Sequence, residues 1–121
     1  KFSLLYPEEL SVKEFDQGSG ASIITFENAE KGIGFQIFIM PYTESQISEK
    51  RFKQDIPSGA RTDLTNVSID GTTGAAFFSK DAALGETAEV WFIHEGYLYE
   101  ITTLKPLASW LSDIIKTWRF L

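Results

Sequence analysis

The chain has 121 residues, of which 43% are hydrophobic and 14% aromatic, too apolar for a disordered segment and enough for one domain over residues 1–121 with its own core. Its net charge is −6, and its one dense basic patch, Lys50-Arg51-Phe52-Lys53, is diluted by Glu49 and Asp55. That balance argues against nucleic acid and an anionic membrane surface as partners. The absence of cysteine excludes thiol catalysis, a disulfide framework and Cys-ligated zinc.

In chain order, Phe2 to Leu5 reads as a short strand closed by Tyr6-Pro7, since proline cannot donate to a ladder. Ser11 to Phe15 is a second short strand, and Asp16-Gln-Gly-Ser-Gly20 a turn. Ser22 to Glu27 is a strand, followed by a turn at Asn28 to Gly32. Ile33 to Met40 becomes apolar on both alternating sets, as expected of a central strand covered on both faces. Thr43-Glu-Ser-Gln46 has capping-box spacing, with Ser45 and Ser48 as alternative caps, for a surface helix that runs to about Asp55 and stops before Pro57. Thr65 to Ile69 and Thr72 to Lys80 are strands joined at Asp70-Gly71, and Asp81 to Gly85 turns the chain again.

Glu86 to Leu104 reads as a long hairpin turning at Glu95-Gly96. A two-residue loop pairs His94 with Tyr97 and needs Glu95 at positive φ. A three-residue loop with Gly96 in the left-handed position pairs Ile93 with Tyr97, and either register is open at this stage. From Pro106, the three- and four-residue spacing of Leu107, Trp110, Leu111, Ile114, Ile115 and Trp118 predicts an amphipathic helix, with Arg119-Phe-Leu121 as a tail. The sum is α+β: a twisted antiparallel sheet of about seven strands with two or more helices packed on it.

The chemistry-bearing residues are few. His94 is the single histidine, and the simplest reading is a solvated hairpin-tip residue, with Glu95 on the opposite face of the strand. The carboxylates Glu8, Glu9, Asp16, Asp63, Asp70, Asp81, Glu86 and Glu89 are scattered, and none has calcium-loop spacing, although ligands from separate loops leave a weak cation site open. A carboxylate hydrolase would need two such groups converging in one cleft with separated pKa values. Gly18-Ser-Gly20 and Gly32-Ile-Gly34 do not extend to a nucleotide-binding fingerprint, and no cofactor is expected. Asn66-Val-Ser68 matches a glycosylation acceptor but falls inside a predicted strand. The aromatic residues are the remaining lead. Trp91 and Ile93 share one face of the hairpin, Val90 and Phe92 the other, so either both faces are covered or one binds something. Trp91, His94 and Tyr97 are the candidates for a ligand or partner surface.

Three segments in order resemble the Mog1p/PsbP-like α/β sandwich superfamily: Phe2-Ser-Leu-Leu-Tyr-Pro7; Val67-Ser-Ile-Asp-Gly71 with its Thr/Ala-rich strand; and Gly96-Tyr-Leu-Tyr-Glu-Ile101 followed by the terminal helix and Trp118-Arg-Phe120. Leu10 stands in the region where related domains often carry Trp. The resemblance implies a binding or accessory protein and no enzyme, since members include extrinsic photosystem subunits and a GTPase-binding transport factor. The chain opens at Lys1, as a trimmed or mature form would. The expected function is therefore a non-catalytic extracytoplasmic accessory or binding domain, in the periplasm or at the cell surface. It would be the soluble part of a secreted or lipid-anchored protein, with a protein partner and with membrane contact only through an upstream anchor. An intracellular protein-interaction adaptor is the alternative.

Overall fold

A computed structural model describes residues 2–121. Nine strands and two α-helices follow in the order β1 (Phe2–Ser3), β2 (Ser11–Gly18), β3 (Ala21–Asn28), β4 (Ile33–Pro41), α1 (Glu49–Asp55), β5 (Thr62–Ile69), β6 (Thr72–Asp81), β7 (Gly85–His94), β8 (Tyr97–Leu104), α2 (Ala108–Ile115) and β9 (Arg119–Phe120). Seven strands form one antiparallel sheet in the order β2-β3-β4-β8-β7-β6-β5, and β1 pairs separately with β9. The architecture is α+β with a seven-stranded antiparallel sheet, as expected from the sequence.

The two faces of the sheet are both covered. Along β7 the pleat sends Trp91 to one side and Phe92 to the other. Phe92 joins Phe35, Ile37, Tyr99, Ile101 and Trp118 under Leu111 and Ile114 of α2. Trp91 and Phe77 pack against Phe52 and Ile56 of the α1 segment. Met40, Tyr42 and Leu98 form a third, smaller cluster. The large apolar residues of the last hairpin are thus core residues on both sides. Leu10 is buried in the α2-side core.

Gly74 of β6 shows how close that packing is. A Cβ there would stand 2.9 Å from both Ile69 Cδ1 and the Trp91 carbonyl oxygen.

Several boundaries differ from those the sequence predicts. The first strand is only Phe2–Ser3, and the expected tail is its partner: Phe2 pairs with Phe120 and Ser3 with Arg119. The α1 cap is Ser48, whose Oγ accepts from Arg51 N at 3.0 Å, and not Thr43. The Tyr42 hydroxyl explains this, since it donates to the Gln46 carbonyl (3.1 Å) and accepts from Ser48 N (3.1 Å), holding that segment as a loop. Residues 105–107 form a 3-10 turn before α2, which stops at Ile115, so Trp118 lies beyond the helix. The Thr117 hydroxyl donates to the Ile114 carbonyl at 2.6 Å and closes the last turn early. β2 extends three residues past Phe15, and β5 begins at Thr62 with a register shift before Thr65 that carries Asp63 at φ 56°.

The hairpin between β7 and β8 has the two-residue loop. His94 pairs with Tyr97, with Glu95 at φ 46° and Gly96 at φ 83°. Both loop residues are left-handed, which asparagine tolerates better than glutamate. Glu95→Asn is therefore expected to stabilise the fold by about 1 kcal/mol, read as an upward shift of the thermal midpoint with unchanged cooperativity.

Candidate functional site

The α1-side face is apolar at one end of the hairpin and acidic further along. The β7–β8 register places Glu89 opposite Thr102 and Trp91 opposite Glu100. These four side chains share one face because the pleat has period two. In this way the hairpin brings two glutamates from different strands together on a diagonal. The segment from α1 through Pro57 lies over them and adds Asp55.

The result is a cleft of about 640 Å³. Its walls include Gln36 and Phe38 of β4, Ser79 of β6, Glu89 and Trp91 of β7, and Glu100 of β8. Ile56, Pro57 and Leu84 contribute apolar surface, and Lys80 and Asp81 stand at the end of β6. The Ser58 hydroxyl donates to the Lys80 carbonyl at 2.9 Å and ties the post-helix loop to that strand.

Glu89 is firmly held. Its Oε1 accepts from Trp91 Nε1 (3.0 Å) and from Thr102 Oγ1 (2.7 Å). Burial pushes its carboxyl above the ordinary range, opposed by hydrogen bonds from Thr102, Trp91 and Thr87. Glu100 is 5% exposed. Burial, then a hydrogen bond to Asp55 and the charge of Asp55, push it up to about 10, with Arg51 opposing and Glu89 adding to the rise. Arg51 is committed to Asp55 at 2.8 Å, so its charge is largely spent there. Glu100 has Asp55 as its hydrogen-bond partner, whereas the buried Ser79 Oγ behind the cleft has none.

The three residues singled out from the sequence do not form one site. Trp91 is 2% exposed and forms part of the cleft wall. His94 and Tyr97 stand at the turn end of the hairpin, five residue pairs from Glu89 and Thr102, roughly 16 Å along the strands. His94 is only partly solvated, where the sequence predicts a solvated residue. Its ring stacks on Phe120 with centroids 3.6 Å apart, and its Nδ1 lies 3.1 Å from Thr72 Oγ1. Nor does Glu95 point away from it, because the tight turn brings the Glu95 carboxylate to 3.7 Å from His94 Nε2. Tyr97 is 41% exposed.

Asp55, Ser79 and Glu100 escape the sequence reading, whereas Asp81 and Glu89 are among its carboxylates. The signal present was a glutamate inside each apolar run of the hairpin, Glu89 before Val-Trp-Phe and Glu100 between Tyr99 and Ile101. The cleft unites four carboxyl groups, Asp55, Asp81, Glu89 and Glu100, and burial raises both glutamates. Among the described residues, no group of three or more His, Asp or Glu side chains is placed to hold a metal ion, and no helix is long and apolar enough to cross a membrane.

No protein-family model and no curated protein matches the chain by sequence. Among solved structures, it is similar to the solution structure of cyanobacterial PsbP (CyanoP) from Synechocystis sp. PCC 6803, with a TM-score of 0.66 and 10% identity, covering 99% of this chain and 86% of that one. The fold is PsbP-like.

Proposed function

We propose that this chain, with its PsbP-like fold, acts as one unit over residues 1–121: a non-catalytic accessory or binding domain that holds its ligand in the cleft under α1. The observation that carries this reading is the 640 Å³ cavity itself, whose lining combines Glu89, Glu100 and Ser79 with Phe38, Ile56 and Leu84. A cavity of that size with a few convergent polar groups is the ordinary form of a small-ligand site. One feature argues against turnover: the histidine is engaged with Phe120 and Thr72 away from the cleft.

The domain works outside the cytoplasm, in the periplasm or at the cell surface, as the soluble part of a secreted or lipid-anchored protein. A protein partner is the other half of the reading. β2 is an edge strand whose eight residues are all exposed, Val12 and Phe15 among them. Such an edge is a template for pairing with another chain. Fractionation of the host, with mass spectrometry of the mature N-terminus, tests the location. A processed or lipid-modified N-terminus in the envelope fraction is the expected result. An unprocessed cytosolic protein would replace this reading with that of an intracellular adaptor.

A further inference from the structure

Two rows of apolar side chains cross the sheet and stop at its β2 edge. On the α2 side the row is Phe35, Phe26 and Val12, each opposite the next across the ladder. On the α1 side it is Phe38, Ile23 and Phe15. The inner members are packed, with Phe26 stacked on Phe35 at 4.4 Å and Phe38 in the cleft wall. The outer members are not: Val12 is 42% and Phe15 47% exposed, one on each face of the same strand. The edge that carries them is regular from Ser11 to Asp16, and its register shift comes only after Asp16. The opposite edge, β5, is broken by the shift between Thr62 and Thr65 and by Asp63 at φ 56°. Such irregularity keeps an edge from pairing, and β2 lacks it along this stretch. One more strand beside β2 continues both rows and takes up the outward backbone groups of the edge.

The charges of β2 select the strand that fits. A second copy does not. Two copies paired antiparallel about a two-fold axis must set a residue against itself. The two such registers with the longest overlap along Ser11 to Asp16 put Lys13 against Lys13 or Glu14 against Glu14. In the first, Val12 meets Glu14 and Phe15 meets Ser11; in the second, Val12 meets Asp16 and Phe15 meets Lys13. Like charges directly opposite are destabilising, and neither register sets an apolar residue against another. A different chain has no such constraint. Glu14 and Asp16 share the α2 side with Val12, and Lys13 shares the α1 side with Phe15. Among the described residues, neither Lys13 nor Glu14 is in an ion pair. Asp16 already accepts from Gly18 N at 2.8 Å through Oδ1, so Glu14 is the chief anionic contact.

We propose that β2 receives an extended segment of a different protein, antiparallel to it. That segment has basic residues opposite Glu14 and Asp16, apolar residues opposite Val12 and Phe15, and an acidic residue opposite Lys13. This rests on the reading of the chain as a domain with a protein partner. Main-chain hydrogen bonds supply affinity that any sequence could share, and the alternating side chains choose the segment. The net charge of −6 steers a basic segment toward the domain and keeps a second copy away.

The test uses the full chain and two synthetic peptides. Acetyl-TKVREVT-amide carries the complementary pattern, and acetyl-TEVEKVT-amide keeps the apolar positions and reverses the charges. Titration into isotope-labelled protein reads affinity from the backbone amide shifts. The expected result is shifts confined to β2 and β3, with the first peptide about tenfold tighter than the second and the ratio shrinking as salt is raised. N-methylation of alternate residues in the first peptide should abolish binding for one set only, because only that set faces β2. Lys13→Glu combined with Glu14→Lys, both on exposed positions, should invert the preference while the β4 and β8 amides stay in place. Equal affinity for the two peptides, no binding of either, or an unchanged preference in the double variant overturns the proposal. Cross-linking in the host separates it from the reading beneath it, with p-benzoyl-phenylalanine in place of Phe15 or, in a second protein, of the exposed Leu64 on β5. An adduct at Phe15 with a segment of the stated pattern is expected. An adduct at Leu64 alone overturns the β2 assignment and leaves a domain with a protein partner. An adduct between two copies of this chain at Phe15 overturns the assignment to a different protein. Adducts at neither position overturn the protein-partner reading as well, since its basis is a free sheet edge.

Discussion

Trp118→Ala should destabilise the fold by about 3–5 kcal/mol, a large share of the total for a domain of this size. Trp118 is fully buried. Phe2 stacks on it with centroids 4.1 Å apart, and the rings of Phe92, Tyr99 and Phe120 meet it edge-on or tilted at 5.3, 5.8 and 5.9 Å. Truncation empties the centre of that cluster, and the rigid sheet beneath cannot collapse to fill it. Its indole Nε1–H has no partner, so no hydrogen bond is lost with the ring. Trp118→Phe should therefore cost much less than the alanine change, because it keeps aromatic volume and removes a buried donor that nothing satisfies. Urea unfolding followed by far-ultraviolet circular dichroism measures both. The expected pattern is a large fall in midpoint for W118A with an unchanged slope. A loss under about 1 kcal/mol would mean that the site repacks and that the cluster is not the anchor of the α2 side.

The second large effect depends on pH. From the ordinary carboxyl value of 4.5 up to about 10, the folded chain keeps a proton on Glu100 that the unfolded chain has released. Stability is therefore greatest below this window and falls as pH rises through it, by up to about 1.4 kcal/mol per pH unit from this group, levelling off above. Glu89 is shifted in the same direction and adds to the slope. Glu100→Gln removes the ionisable group while its amide can still donate to Asp55. The variant should be more stable than the parent at pH 8 by roughly 1–4 kcal/mol, in line with the effect of replacing buried charges, and its stability profile between pH 5 and 9 should be flatter. Parallel profiles for the two proteins would show that Glu100 is ionised in the fold.

Glu95 decided how much of the site was legible. With a three-residue loop, Glu100 would pair with Val90, and Glu89 would point to the other side of the sheet. With the observed two-residue loop, Glu89 and Glu100 share a face. A left-handed glutamate is the sterically poorer choice, so local preference pointed the wrong way and tertiary pairing of the strands overrode it. The long strands and α2 were readable because alternation and helical spacing are strong over eight or more residues, whereas α1 has seven residues and one buried side chain, and its expected cap was displaced. The pairing of β1 with β9 was not, since each is two residues long and their contact joins opposite ends of the chain. Asp55 and Ser79 sit on a polar helix and at the end of a strand, where such residues are ordinarily solvent-facing. Only their position under the α1 loop makes them part of a cavity.

The pairing of Phe2 with Phe120 also sets how the molecule yields to tension. The entering end of β1 lies beside the leaving end of β9, so a pull on the two ends peels the pair open one contact at a time and never shears it. Shearing would load the cross-strand hydrogen bonds together, whereas peeling loads them in turn. Load applied through the ends should thus release the clasp at low force and uncover the aromatic cluster around Trp118, while the seven-stranded sheet and the cleft on its far side remain assembled.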